Sequence, residues 1–181
     1  MEEFKSISTE RLEIRMITAK DNKKFFKYRS LPEVFKYQSF QPTSIEDVDN
    51  FIASNESFIN IPDSWIQLGI YLKGTERLIG DIGLHFLDDI SQVEIGYTLD
   101  PLFQGKGYAL EAVKALMTYL FKELHKHRIT ASVDPENEKS VHLLEKLGMR
   151  KEAHFMKSYL IDDEYYDDCI YAILREEFNE G

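Results

Sequence analysis

The hydrophobic period of this chain changes at Gly107, from that of strands to that of a helix. Before it, three runs alternate with period two: Ile66, Leu68, Ile70 and Leu72; Leu78, Gly80, Ile82, Leu84 and Phe86; Val93, Ile95, Tyr97 and Leu99. Turns at Lys73-Gly74-Thr75-Glu76 and around Asp88-Asp89 separate them. Period two puts alternate side chains on one sheet face, so the runs predict an antiparallel meander. After Gly107 the residues Leu110, Val113, Met117, Leu120, Phe121 and Leu124 form one stripe of a long amphipathic helix. Ile129, Ala131 and Val133 then return to a short strand. Strand, helix and strand make a crossover, so the strands holding Val93 and Val133 are predicted parallel.

The flanks extend this pattern. Thr9 to Ile17 reads as a strand with Leu12, Ile14 and Met16 on one side. Asp21 to Tyr28 reads as a short helix anchored by Phe25, Phe26 and Tyr28. Ser44 opens a second helix through a Ser44-x-x-Asp47 capping box, with Val48, Phe51 and Ile52 at helical spacing. Asn137 caps a later helix carrying Val141, Leu144 and Leu147, and Gly148 stops it. Two strand-like runs, Phe155–Ile161 and Cys169–Leu174, flank the acidic turn Asp162-Asp163-Glu164. The predicted order is β-α-α-β-β-β-α-β-α-β-β, an α/β (α+β) arrangement with a central mixed, mostly antiparallel sheet flanked by helices. With no repeat or low-complexity linker, one domain over 1–181 is expected, with a recognisable core at about 9–175.

Composition narrows the partners. The formal net charge is −10, which argues against a nucleic-acid footprint and against an anionic membrane surface. It suits a cationic acceptor such as an amine, although the same charge also serves solubility. The single cysteine, Cys169, allows neither an internal disulfide nor a cysteine-based metal site. It reads as a buried small apolar residue. The polar start Met1-Glu2-Glu3-Phe4-Lys5 and the lack of a long apolar run give a cytoplasmic expectation.

The chemistry is expected where the period changes. Gln104-Gly105-Lys106-Gly107-Tyr108-Ala109 links a strand ending at Leu99 to the long helix. Glycines permit a tight turn and close approach of a ligand. The unpaired N–H groups and dipole of a helix start favour an anion. The dinucleotide fingerprint fails because Leu110 stands where its third glycine belongs, and the P-loop fails because Gly107 follows Lys106. The glycine pair alone leaves two readings open, a phosphate cradle or a plain helix start after a tight loop.

This segment resembles the Gln/Arg-x-x-Gly-x-Gly/Ala signature of the GNAT acetyltransferase superfamily, with Gln104, Gly107 and Ala109 at its defined positions. Ile95-Gly96-Tyr97-Thr98-Leu99 resembles the family's fourth strand. Thr9-x-Arg11-Leu12-x-Ile14-Arg15, Asp134-Pro135-x-Asn137-x-x-Ser140 and Glu145-Lys146-Leu147-Gly148-Met149 are similar to the branch that includes ribosomal-protein alanine acetyltransferases. The resemblance implies a GNAT fold and acetyl-CoA as co-substrate. It implies that backbone amides of Gly105, Lys106, Gly107, Tyr108, Ala109 and Leu110, with Gln104, hold the pyrophosphate. The backbone of Tyr97, Thr98 and Leu99 pairs with the pantetheine arm beside a splayed strand, and Asn137 hydrogen-bonds near the thiol. Asn137 is equally explained as a helix cap.

Transfer to an amine needs a neutral amine, which a general base can supply, a donor for the oxyanion and a proton for the leaving thiolate. Many family members carry a tyrosine acid seven residues after the asparagine, where this chain has Leu144. Ser140, one turn after Asn137, is the candidate acid, with a structural first-turn role as its alternative. Glu94 is the candidate base, with a salt bridge or a solvated strand position as its alternative. Direct attack by an already neutral amine, with no protein base, is the third course. His125 and His127 read as helix-end charges, and no metal is expected. The first-choice acceptor is a protein or peptide N-terminal α-amine. The alternatives are a small amine (aminoglycoside, polyamine or amino acid) or an idle acyl-CoA-binding sensor. The exposed strands of the C-terminal hairpin offer a homodimer contact.

Overall fold

The computed structural model describes residues 2–161 and 163–179. Three short strands and two longer ones lead into the meander: β1 (Glu2–Glu3), β2 (Ile7–Ser8), β3 (Leu12–Met16), β4 (Phe58–Ile59) and β5 (Ser64–Leu72). Between β3 and β4 lie α1 (Asn22–Arg29), α2 (Pro32–Phe35) and α3 (Ile45–Ala53). Then follow β6 (Leu78–Phe86), β7 (Gln92–Leu99), α4 (Tyr108–Lys122), β8 (Arg128–Val133), α5 (Glu138–Lys146), β9 (Arg150–Ile161) and β10 (Glu164–Leu174). The main sheet has the order β2-β3-β5-β6-β7-β8-β10-β9, and β1 pairs with β4 in a separate ribbon. Within the main sheet only β7–β8 is parallel. The crossover read from the period change is therefore present, and the long elements follow the predicted order.

The sheet carries helices on both faces. Val113, Leu116, Met117 and Leu120 of α4 and Leu144 of α5 are buried in one core with Leu68, Ile82, Leu84 and Ile95. Phe25, Tyr28 and Val48 of α1 and α3 form a second cluster with Tyr71 and Leu78. Strand β5 therefore buries both faces, Ile70 toward one cluster and Tyr71 toward the other. The Leu78–Phe86 alternation also breaks at its start. A register shift between Ile70 and Tyr71 lets Leu78 and Ile79 enter opposite clusters. The α3 capping box is present: Ser44 Oγ accepts from Asp47 N at 3.1 Å, and Asp47 Oδ2 accepts from Ser44 N at 2.9 Å.

Both hairpin strands start earlier than the runs beginning at Phe155 and Cys169 suggest. Most of β9 is exposed, because it is the sheet's outer strand, so backbone pairing with β10 defines it without a buried stripe. In the acidic turn Asp163 takes φ +64° and Glu164 opens β10, while Asp162 lies outside the described residues. Helix α4 ends at Lys122, so His125 and His127 sit in the following loop, with Lys126 buried between them. Cys169 is buried and pairs with Val133 across β10 and β8.

Candidate active site

The sheet opens where β7 and β8 part. Their pairing comprises Gln92 with Arg128, Val93 with Ile129 and Glu94 with Thr130. Beyond Glu94, β7 stays with β6 as far as Leu99, and β8 stays with β10 as far as Val133. On the other side of β7, a Cβ at Gly80 would lie 2.4 Å from the Thr98 carbonyl oxygen. Only glycine lets β6 hold the end of β7 so closely. The edge of β7 from Ile95 to Leu99 thus faces a gap. Leu99 O is already engaged, accepting from Gln104 Nε2 at 3.1 Å. Thr98 is buried, and its Oγ1 has no hydrogen-bond partner among the described residues.

The glycine turn follows. Asp100 Oδ1 accepts from Leu102 N at 2.9 Å and starts a short 3-10 turn, Pro101–Phe103. Gly105 (φ +74°) and Gly107 (φ +80°) then take left-handed backbone, and Gly107 is the N-cap of α4. Among the described residues, no backbone N–H from Gly105 to Leu110 has a protein partner; the first bond of the helix is Glu111 N to Gly107 O at 3.0 Å. A row of free donors at a helix start is a cradle for an anion. Lys106 turns its ammonium back, donating to Leu102 O at 3.0 Å beside the Phe103 ring, so its contribution to the row is its backbone.

The N-terminal strand clamps this turn. Arg11 Nη1 donates to Lys106 O at 3.0 Å, and Arg11 pairs with Glu111 at 2.6 Å. Arg11 N and Thr9 Oγ1 also donate to Glu111 Oε1, at 2.9 and 2.6 Å. Partial burial raises the Glu111 carboxyl, but these hydrogen bonds and the Arg11 charge outweigh it and hold it below the usual range. Glu111 is a residue that the sequence reading missed, although its place in the first turn of α4 and the Thr9-x-Arg11 motif both signal it.

The gap leads to a cavity of about 470 Å³ between β7, the first turn of α5, the segment after α1 and the C-terminal hairpin. Of the residues singled out from sequence, Glu94, Tyr97, Asn137 and Ser140 line it; Thr98, Leu99 and the turn from Gln104 to Leu110 do not. Lys139 connects the two regions, since its Nζ donates to Gln104 Oε1 at 3.2 Å while its neighbour Ser140 faces the cavity.

Glu94 sits opposite His85 in register, with Oε2 3.7 Å from His85 Nδ1. His85 stacks flat on Trp65, with centroids 4.5 Å apart and planes at 9°. Asn137 Oδ1 accepts from Ser140 N at 3.3 Å, so the residue does cap α5. Its amide NH2 has no protein partner among the described residues. Capping and ligand binding therefore use different atoms. Ser140 Oγ lies 2.8 Å from Tyr97 Oη, and Tyr97 Oη lies 3.2 Å from Ser140 O, in donating range. Burial pushes the Tyr97 phenol up to about 12, against the opposing effect of its Ser140 hydrogen bond. Leu144, also in the wall, is fully buried.

A buried network supports the far wall. Asp81 is fully buried on β6 and accepts from Arg29, Gln67 and Tyr28. Burial disfavours the Arg29 cation, but the Asp81 carboxylate outweighs it and raises Arg29. Arg29 Nη1 then donates to Gln38 Oε1 at 2.9 Å, fixing the cavity segment that carries Tyr37 and Phe40. An aspartate within an apolar strand run was the available signal for this network. Carboxylates of Glu94, Asp134, Asp167 and Asp168 also line the cavity. Among the described residues, no group of three or more His, Cys, Asp or Glu could hold a metal ion.

The family model for an acetyltransferase (GNAT) domain matches residues 11–150. A GNAT-family acetyltransferase from Bacillus anthracis superposes with a TM-score of 0.87 at 36% identity, covering 96% of this chain and 100% of that one. The Escherichia coli spermidine N(1)-acetyltransferase is 33% identical over 132 residues, 68% of this chain and 70% of the relative. The Escherichia coli ribosomal protein uS5-alanine N-acetyltransferase is 34% identical over 87 residues, 48% of this chain and 45% of the relative. With most of its length matched by that model, and with the parted strands and the donor row in place, the chain belongs to the GNAT acetyltransferase family.

Proposed function

We propose that this acetyltransferase moves the acetyl group of acetyl-CoA to a primary amine, with a protein or peptide N-terminal α-amine as acceptor. One observation carries the proposal: the gap between β7 and β8 lies between a row of free backbone donors and a cavity with a carboxylate and paired hydroxyls. The residues present fit acetyl-CoA. The N–H groups from Gly105 to Leu110 suit its pyrophosphate. The backbone of Tyr97, Thr98 and Leu99 suits an extended amide arm, and the Asn137 NH2 is available near its end. Gln104 holds the turn to Leu99 and to Lys139. Acetyl-CoA supplies an activated acyl group.

In this reading Glu94 removes a proton from the incoming amine, and Ser140 supplies one to the departing sulfur. The uS5-alanine acetyltransferase relative supports an N-terminal acceptor. A polyamine is the second reading, supported by the spermidine acetyltransferase relative and by the four wall carboxylates, which suit an acceptor with further positive charge.

The test incubates purified protein with acetyl-CoA and either free-N-terminus peptides or spermidine, and measures CoA thiol release. Release with peptides alone supports the first reading, and with spermidine alone the second. Acetyl-CoA binding without release from any amine would leave an acyl-CoA-binding module. Glu94→Gln should lower kcat by about 10²- to 10⁴-fold, and an unchanged kcat would remove Glu94 from the mechanism. The reading also takes one domain in a cytoplasmic setting, supported by the lone buried Cys169. It includes a homodimer formed along the exposed outer strand β9, to be checked by light scattering.

A further inference from the structure

We propose that Tyr97 is a positioning residue of the transfer, resupplying through Ser140 the proton that the departing thiolate receives. The inference rests on the acetyltransferase reading. Tyr97 Oη has one proton and two acceptors in reach, Ser140 O at 3.2 Å and Ser140 Oγ at 2.8 Å. When it donates to the carbonyl, Oη can accept the Ser140 proton. When it donates to Oγ, the Ser140 proton is free to turn into the cavity. The pair therefore has two proton arrangements, one closed on itself and one directed outward.

Its position suits the second arrangement. Tyr97 comes from the free edge of β7 and Ser140 from the first turn of α5, so their hydroxyls meet where the gap enters the cavity. Ser132, another hydroxyl of the wall, is committed to Asp168 at 2.6 Å. An aliphatic hydroxyl is a weak acid and cannot remain an alkoxide, so a proton lost from Ser140 needs immediate replacement, and the phenol is the donor in contact. Burial keeps that phenol protonated where an amine nucleophile is neutral.

The step balances. As the N–C bond forms and the C–S bond breaks, its electron pair leaves on sulfur. Ser140 Oγ–H gives its proton to that sulfur, and Tyr97 Oη–H gives its proton to Ser140 Oγ. The phenolate recovers, through water, the proton that Glu94 took from the amine. No oxidant or further reactant is needed.

The experiment compares CoA with desulfo-CoA, which lacks the sulfur, by titration calorimetry on wild type, Tyr97→Phe, Ser140→Ala and the double variant. Wild type should bind CoA roughly two- to tenfold more tightly than desulfo-CoA, the range of one hydrogen bond. Ser140→Ala and the double variant should bring that ratio close to one, whereas Tyr97→Phe should keep it, because the Ser140 hydroxyl can still turn to the sulfur. In turnover, each single variant should lose roughly tenfold or more in kcat, and the double variant should lose no more than the larger single loss. A wild-type ratio already at one, a ratio that survives Ser140→Ala, an unchanged kcat in Tyr97→Phe, or single losses that multiply would each overturn the relay, leaving Tyr97 a strut between β7 and α5. If Tyr97→Phe does not fold, the Ser140→Ala ratio decides in its place. If wild type releases no thiol with any amine, the transferase reading fails, while the binding ratio still reports whether the pair faces the sulfur.

Discussion

At Gly107 one backbone angle shapes the cofactor side of the site. Its φ of +80° lies in the left-handed region, and a Cβ there would approach Arg11 Nη2 at 3.4 Å. An L-residue in that region costs roughly 1–2 kcal/mol. Gly107→Ala should therefore lower stability by about that amount in urea unfolding, and should weaken CoA binding as the donor row shifts. Gly105→Ala has the same backbone cost (φ +74°), with nothing within 4 Å of its Cβ. The difference between the two variants reports the Arg11 contact, and equal losses would mean the contact adds nothing. The glycines were legible from sequence because their requirement is local. The Tyr97 backbone is placed beside the pantetheine arm by the family resemblance, but its hydroxyl contact was not legible, since the partner lies 43 residues away. Lys126, between His125 and His127, is 2% exposed, with Nζ bonded to Asn60 Oδ1 at 2.5 Å and to Ile90 O. Those partners lie on distant segments, and nothing in the sequence around Lys126 marks them.

Among elements, β3 and α4 depend on each other through Arg11 and Glu111. The pH dependence of this clamp has a definite sign. The folded carboxyl lies below its ordinary 4.5, so the contact stabilises above that value and is lost as pH falls through the lower folded one. Urea midpoints should therefore drop as pH falls below about 4.5, and Arg11→Ala should show a smaller drop. At neutral pH that variant should cost at most about 1 kcal/mol, because the pair is partly exposed. An acid dependence identical to wild type would show that the clamp does not report on folding. The elements themselves were legible where one face is buried: the α3 cap, the meander, the crossover helix and α5. The two-residue strands β1, β2 and β4 were not, because no periodicity develops over that length. The early start of β9 was not either, because an outer strand with most residues exposed has no buried stripe.

At the scale of the whole molecule, element order was legible and the parting of β7 from β8 was not. Parting is a matter of pairing between strands distant in sequence, with β7 kept by β6 and β8 kept by β10. The same scale governs how an acceptor arrives. The chain carries a net charge of −10, and its cavity wall includes Glu94, Asp134, Asp167 and Asp168. The one arginine in that wall, Arg29, is neutralised by Asp81. A cationic acceptor is therefore drawn in over a distance that salt shortens, to about 10 Å at 0.1 M and about 3 Å at 1 M. For spermidine or a lysine-rich peptide, raising NaCl from about 50 mM to about 500 mM should raise KM several-fold and leave kcat nearly unchanged. A peptide with uncharged side chains should respond much less, since only its terminal amine is attracted. Two of these carboxylates can be tested singly. Asp134→Asn and Asp167→Asn should each reduce the salt dependence for the polycation, while leaving kcat nearly unchanged if Glu94 and Ser140 act as proposed. Equal salt responses for the two acceptor types would separate the acidic wall from acceptor choice, and would leave its charge a matter of solubility.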